Sequence, residues 1–365
     1  MRKRIYVCHT FYHVYVAALK ELNLPEEERG RATLVLSKMS NRFGDLASRA
    51  EKSGIFAKAI EFDEKDFTFF PELVELKKDR GSLPANMRQR IRFCKRLGEL
   101  EEPYVPVDFS AFDDIYVFCD SDPIGYYLSY KKIRYHAVED GLDCIRYRDT
   151  AHEDNAGHFK LKAFLASLGV IFIQNGYGKY CIDMEVNDIS VLDHPMKKMV
   201  EVPREKLAAG LSDEDKKRLC SMFIENRAEL DTTLQKAKEE KKPIVLILTE
   251  PLTKSLETRE RLVRDMIREY GTVDGIEGVI VIKPHPRDLL DYRTRFSEYL
   301  VLDAHFPMEV LNFVGAEFAR VVTVYTVPNA IHCAKQKVYL GNAFMDRYED
   351  PRDHAHVTNA AKKIS

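Results

Sequence analysis

The sequence predicts an α/β protein made of two Rossmann-like units, each a parallel sheet clothed in helices. Three observations carry this. Short apolar runs alternate with helical stretches in both halves of the chain. A charged stretch from Ser212 to Lys242 opens on Ser212, Asp213, Glu214 and Asp215, closes on Lys241, Lys242 and Pro243, and reads as the helical join. The apolar run 278–282 looks like a buried parallel strand, and it delivers Lys283, Pro284, His285, Pro286 and Arg287 to its carboxyl end. That is the edge where open α/β sheets bind ligands. The 365 residues suit two domains, divided as 1–205 and 206–345, with a basic tail at 346–365 that either returns to the first domain or grazes an anionic membrane.

Each element follows from its pattern. In the first half, 4–8, 32–37, 58–62, 115–119, 133–138 and 169–174 read as strands. Residues 13–22 read as an amphipathic helix, and 72–100 as a charged helical stretch broken near Gly81 and Pro84. A helix over 123–131 has Asp122 as N-cap and Pro123 at its first position. In the second half, 244–249, 279–283, 300–303, 321–325 and 338–340 read as strands, with helices at 257–270, 308–313 and 329–334.

Composition narrows the function. A chain 45% hydrophobic and 31% charged, with a formal net charge of -2, carries no global footprint for nucleic acid. Seven scattered Cys without a CxxC pair read as reduced core residues, not as a disulfide framework or zinc site. No apolar stretch reaches the length of a membrane span. Only a short strand-like run follows Arg2, Lys3 and Arg4, which reads against a signal peptide and for a cytoplasmic protein.

Four constellations hold candidate chemistry. Lys283, His285 and Arg287 on a proline-stiffened loop suit a phosphate. Glu139, Asp140 and Gly141 follow a strand; neighbouring side chains point opposite ways, so one acid can face the ligand edge as a general base while the other pairs locally. Glu309, in the first turn after Pro307, either complements the helix dipole or accepts from a ribose diol. The run 323–329, with Thr323, Tyr325, Thr326 and Asn329, enters a helix whose amino end and hydroxyls suit phosphate. Neither a P-loop nor a GxGxxG fingerprint is present. His9 and His13 lie four apart but lack a zincin glutamate; a substrate-lining loop with Thr10, or plain capping, is the preferred reading. Asp120-Ser121-Asp122 matches a DxD pattern, yet Pro123 makes Asp122 a cap rather than a metal ligand. His194-Pro195 reads as a loop.

The order of these motifs, from Glu139 to Asn329, resembles glycosyltransferase family 52, the bacterial lipooligosaccharide sialyltransferase-like group, and the related bacterial polysialyltransferases. The resemblance rests on an acid-acid-Gly motif, then Lys283-Pro284-His285-Pro286, then a Pro-x-Glu helix and a hydroxyl-rich helix entry. It implies a GT-B fold, two Rossmann-like domains facing across a cleft, and inverting transfer of a sialic or related nonulosonic acid from a CMP-sugar to a glycan on a surface polysaccharide or lipooligosaccharide. It further implies Asp140 as general base, His285 at the departing phosphate, Glu309 on the ribose and Thr326, helped by Tyr325, on the phosphate. Thr249, Lys283 and Pro284 complete the expected nucleotide-binding set, and His9, Thr10, Asp120 and Glu139 the acceptor side. No metal or cofactor is expected. The family often has serine where this chain has Thr323, Tyr325 and Thr326, and a Thr-Pro loop where it has residues 8–12. Expected partners are the CMP-sugar and a glycan acceptor; oligomeric state, a homodimer included, and a peripheral inner-membrane contact stay open. The alternatives are a CDP-glycerol or CDP-ribitol phosphotransferase of the same fold and a catalytically degenerate binding module.

Overall fold

The structure, a computed structural model, describes residues 2–39, 41–141, 157–192 and 195–353. His194 and residues 354–365 of the tail lie outside the described residues. The chain divides into two compact units, Met1–Asp215 and Lys216–Ser365. Among the described residues no helix is long and apolar enough to cross a membrane.

The first unit holds seven parallel strands: β1 (Arg4–Cys8), β2 (Thr33–Ser37), β3 (Lys58–Phe62), β4 (Asp114–Phe118), β5 (Tyr135–Val138), β6 (Cys181–Val186) and β7 (Met199–Glu201). Their order is β3-β2-β1-β4-β5-β6-β7. The order reverses direction between β1 and β4, which pair in parallel with Ile5 opposite Ile115. A crevice for ligands opens at such a switch point, at the carboxyl ends of the strands. β1 and β2 are buried along their whole length, as β-branched and leucine-rich runs in a two-sided parallel sheet must be. Helices α1 (Phe11–Leu22), α2 (Leu46–Lys52), α3 (Pro71–Leu76), α4 (Leu83–Glu101), α5 (Pro123–Lys131), α6 (Phe159–Ser167) and α7 (Arg204–Ala209) cover it. The helix expected to be amphipathic, α1, is instead buried on nearly every side.

One expectation fails around β6, and the strand itself went unread. Residues 169–174 form no strand, although Ile171, Phe172 and Ile173 are buried. Gly169, Asn175 and Gly176 all have positive φ (77°, 62° and 80°), so the apolar run is a core-plugging turn. The strand is Cys181–Val186, whose Asp183 and Glu185 hid it from an apolar pattern.

The second unit opens with α8 (Asp213–Phe223), which begins at the boundary, and α9 (Arg227–Glu239). It holds β8 (Ile244–Leu248), α10 (Leu256–Tyr270), the hairpin β9 (Thr272–Val273) and β10 (Ile276–Glu277), β11 (Val279–Lys283), α11 (Tyr292–Arg295), β12 (Leu300–Val301), β13 (Phe318–Thr323), β14 (Ala334–Tyr339) and α12 (Gly341–Met345). The parallel order β12-β11-β8-β13-β14 places a second switch point between β8 and β13. Val245, Ile247, Ile280, Ile282 and Val322 pack with Leu262, Val263 and Met266 of α10 to form its core. The expected helix at 329–334 is a single 3-10 turn, Pro328–Ala330, followed by the long edge strand β14.

Candidate active site

In the first unit, the residues that follow β1, β3, β4 and β5 form one buried polar cluster at the switch point. Thr10 caps α1, its hydroxyl accepting from the His13 N–H at 3.2 Å. After β4 the chain turns through Cys119 in the left-handed region, φ 55°. α5 then returns so close that a Cβ on Gly125 would stand 2.0 Å from the Asp120 carbonyl oxygen, so only glycine fits.

His13 is fully buried and stacks on Phe118, with ring centroids 4.7 Å apart. Its Nδ1 accepts the His9 backbone N–H at 3.0 Å. The ring proton of the neutral imidazole therefore sits on Nε2, which donates to the Asp140 carboxylate. Burial pushes His13 below its ordinary value, so it is neutral at pH 7. Burial alone would raise Asp140, but the His13 hydrogen bond, the Cys119 thiol and the charge of His9 outweigh it and hold the carboxyl below its usual range. The Asp140 side chain keeps 32% of its surface exposed. It is thus an ionised carboxylate, oriented from behind and reachable from outside.

His13 Nε2, the Cys119 sulfur and an Asp140 oxygen lie within 4.8 Å of one another, close enough to suggest a metal. The tautomer argues against one. A metal-binding imidazole offers a lone pair and donates its other N–H outward. Here the other nitrogen already accepts, and Nε2 carries hydrogen.

Behind it lies a second cluster. His9 Nε2 is 2.8 Å from Glu64 and 3.2 Å from Asp122, and burial is outweighed by these two acids, which push His9 up to about 9. His9 is a buried imidazolium, its Nδ1 without a partner among the described residues. Glu64 also accepts from Ser37 Oγ and from the Ile124 N–H at 2.8 Å. Asp122 is the N-cap of α5, as expected, but its side chain makes no capping bond, and Glu64 accepts the free Ile124 N–H in its place. Burial, against the pull of His9 and with the neighbouring Glu64 and Asp140 charges, raises Asp122 to about 7.

Two acceptor-side expectations are corrected. Asp120 is 2% exposed, and its carboxylate accepts from Tyr135 Oη at 2.9 Å and from the N–H groups of Asn175 and Gly176. It anchors the turn before β6 and is out of a substrate's reach. Glu139 is equally buried and accepts from the Asn187 N–H; burial raises its carboxyl, with Arg204 opposing. Of the two adjacent acids, only Asp140 faces outward.

In the second unit, the loop after β11 is tightly held. Thr249 Oγ1 accepts the His285 N–H at 3.2 Å, and its hydroxyl also bonds Tyr292. Tyr292 Oη donates to Asp288 at 2.8 Å, and Asp288 pairs with Arg259. His285 Nδ1 accepts the Arg287 N–H at 3.1 Å, leaving hydrogen on Nε2. Burial, with the nearby Lys283 and Arg287 charges, lowers His285. The expected cation is, at neutral pH, a half-buried neutral donor.

Lys283 is the second correction in this unit. It is 5% exposed, donates to the Ala304 carbonyl at 2.7 Å and the Pro284 carbonyl at 3.1 Å, and lies over the Phe306 ring. Burial, against Asp303 and Glu309, pushes its amine down to about 7. It ties the loop together from within, and Pro284 is buried beside it. Glu309, half-buried in the 3-10 turn Met308–Phe313, is raised by burial, with its own N–H and Lys283 opposing.

The turn after β13 also departs from expectation. Thr323 is fully buried and donates to Glu250 at 3.0 Å. The Tyr325 N–H donates to the same carboxylate at 2.9 Å, and the Thr326 N–H joins it. The backbone amides of the turn that carries the candidate hydroxyls are therefore already filled. Tyr325 Oη bonds Asn342 at 3.1 Å. Of the three candidate hydroxyls, that of Thr326 alone has no intramolecular partner among the described residues. Glu64, Cys119, Glu250 and Asp288 were missed in the sequence. One signal was available: Glu250, like Asp140, is an acid just past a buried strand.

Three comparisons bear on this architecture. The sialyltransferase of Photobacterium damsela is similar over 92% of this chain and 74% of its own, at 11% identity and a TM-score of 0.50. The α/β-galactoside α-2,3-sialyltransferase of Photobacterium phosphoreum is similar over 92% and 90%, at 12% identity and a TM-score of 0.49. At such identities the likeness is one of fold, and that fold is GT-B: two Rossmann-like units with parallel sheets. An uncharacterized protein of Haemophilus influenzae is 32% identical over 97 residues, so the match spans 26% of this chain and 30% of that relative. The profile of glycosyltransferase family 52 matches residues 79–339. With well over half of its length matched, the chain belongs to glycosyltransferase family 52.

Proposed function

We propose that the protein is an inverting glycosyltransferase that moves a sialic or related nonulosonic acid from a CMP-sugar to a glycan hydroxyl, without a metal. The observation that carries this is the state of Asp140: ionised, fixed by His13 and Cys119, and exposed at a switch point. In the reaction, an acceptor hydroxyl gives its proton to Asp140 as its oxygen bonds to the anomeric carbon. The bond from that carbon to the phosphate oxygen breaks, and CMP leaves with the electron pair. A sugar of this type forms an oxocarbenium-like transition state readily, and CMP is a modest charge to release. Fixed donors then suffice: the Nε2–H of His285 and the hydroxyl of Thr326 would stabilise negative charge growing on the phosphate. Glu309 would take the ribose. His13 is the positioning residue, since it fixes the carboxylate while remaining neutral itself.

A depressed Asp140 is a weaker base, but the proton moves late in a dissociative transfer, and a carboxylate that never protonates in the working range is always available. Thermal shifts with CMP, CDP and UDP test the donor, because a ligand of the native state raises the midpoint by mass action. CMP preference is expected. CDP preference would replace this reading with a CDP-polyol phosphotransferase, and silence to all three would leave a binding module. CMP release from CMP-sialic acid should then fall about 10²- to 10⁴-fold in Asp140→Ala and in His285→Ala.

A further inference from the structure

Glu250 belongs to no motif read from the sequence, yet it occupies the centre of the second unit's ligand edge. It follows β8, the middle strand, at the switch point between β8 and β13. The two residues after β8 each bond one of the two flanking loops. Thr249 receives the backbone N–H of His285, after β11 on one side. Glu250 receives Thr323 Oγ1 and the N–H groups of Tyr325 and Thr326, after β13 on the other. Both loops supply the groups assigned above to the donor phosphate. Both are held by adjacent residues of one strand end.

We infer that Glu250 is the positioning residue of the donor-phosphate turn: its carboxylate, by occupying the amides of Tyr325 and Thr326 and the hydroxyl of Thr323, fixes the conformation in which Thr326 is presented to the ligand. This rests on the reading of that edge as a nucleotide site. Two facts separate it from a mere buried acid. Glu250 is 8% exposed, and the donors that satisfy it all belong to this turn. Two consecutive amide N–H groups aimed at one carboxylate make an anion-binding nest that a loose turn would otherwise offer to the phosphate itself. With the nest filled from within, the turn has one shape, and phosphate meets side-chain donors rather than backbone.

The geometry predicts which substitution is tolerated. Oε1 accepts all three bonds, and Oε2 duplicates only that from Tyr325. Glu250→Gln can place its amide oxygen where Oε1 stands and keep the three bonds. Glu250→Ala keeps none. The experiment measures binding of CMP, CDP and UDP by calorimetry to the wild type and both variants, with hydrogen exchange of the peptide spanning 323–330 as a readout independent of any ligand. Expected is a 10- to 100-fold loss of affinity in Glu250→Ala, on the order of one or two hydrogen bonds, faster exchange confined to 323–330, and values within about threefold of wild type in Glu250→Gln.

Each departure has one meaning. If the wild type favours UDP, and Glu250→Ala still weakens it with Gln rescuing, the CMP reading falls and the positioning role stands. If CMP is favoured and Glu250→Ala binds it as wild type does, the positioning role falls alone. Tighter binding in both variants would make the carboxylate a competitor of phosphate and overturn it. Unchanged exchange over 323–330 would overturn it as well, as would a wild type that binds none of the three. Should Glu250→Ala not fold, Glu250→Gln and Glu250→Ser carry the comparison.

Discussion

The buried imidazolium of His9 makes the stability of the first unit depend on pH in a defined direction. His9 is raised from 6.5 to about 9, because Glu64 and Asp122 outweigh the cost of burial. Between those values the folded state holds a proton that the unfolded chain releases. Stability therefore falls as pH rises across that window; the contribution is complete below about 6.5 and gone above about 9. At about 1.4 kcal/mol per pH unit, the 2.5-unit shift corresponds to about 3.5 kcal/mol. For a unit of this size that is roughly 7–14 °C of midpoint. The perturbation is His9→Gln, which keeps a donor for Glu64 and cannot titrate. Melting curves at half-unit steps from pH 6 to 9.5 should show the wild type losing its lead over the variant steadily. A lead that stays constant across the range would refute the charged state of His9, and the capping role given to Glu64 would lose its partner. Proton-coupled shifts of labelled histidine provide a check that needs no variant.

Other outcomes follow from the same geometry. His13→Ala should lower kcat about 10²-fold with the donor KM little changed, and should move the acidic limb of the rate profile upward, because Asp140 loses the hydrogen bond that depresses it; an unmoved limb would show that His13 does not act through Asp140. Asp120→Ala should cost about 3 kcal/mol or more, read by denaturant midpoint, since it strands Tyr135 Oη and two buried N–H groups, while leaving nucleotide affinity unchanged in the folded fraction. Incubation with a chelator should leave CMP release within twofold of the untreated enzyme, because the His13 nitrogen facing Cys119 and Asp140 is protonated; a loss restored by zinc would overturn that assignment.

How far the sequence could be read follows from what kind of signal each residue leaves. Buried parallel strands such as β1, β8 and β11 are apolar throughout, so they stand out at once. β6 carries Asp183 and Glu185, and the apolar plug at 171–173 imitated the strand it only precedes. Among the candidate residues, Asp140 in the first unit and His285 in the second drew notice because they sit beside Gly141 and between Pro284 and Pro286, where the backbone itself is constrained. Lys283 and Asp120 were overvalued for a related reason. A charged residue at a strand end looks the same in sequence whether it turns toward solvent or toward three buried partners. Glu64 acts on groups 27 to 60 residues away and Glu250 on groups 73 to 76 away, distances at which no local pattern exists. Their roles are properties of the closed sheet.

The placement of Thr249 and Glu250 at the end of β8 makes the frame of that strand matter to chemistry. Removing one residue between Ile244 and Leu248 would preserve an apolar, well-buried strand and yet bring Glu250 to the place of Thr249, a carboxylate beside the His285 amide, with Pro251 in the place of Glu250. Adding one would bring Thr249 to the place of Glu250, so that a short hydroxyl is left to span the turn at 323–326. Grafting this unit onto another scaffold, or trimming it for expression, thus has a single-residue tolerance at β8 that its exposed helices do not share.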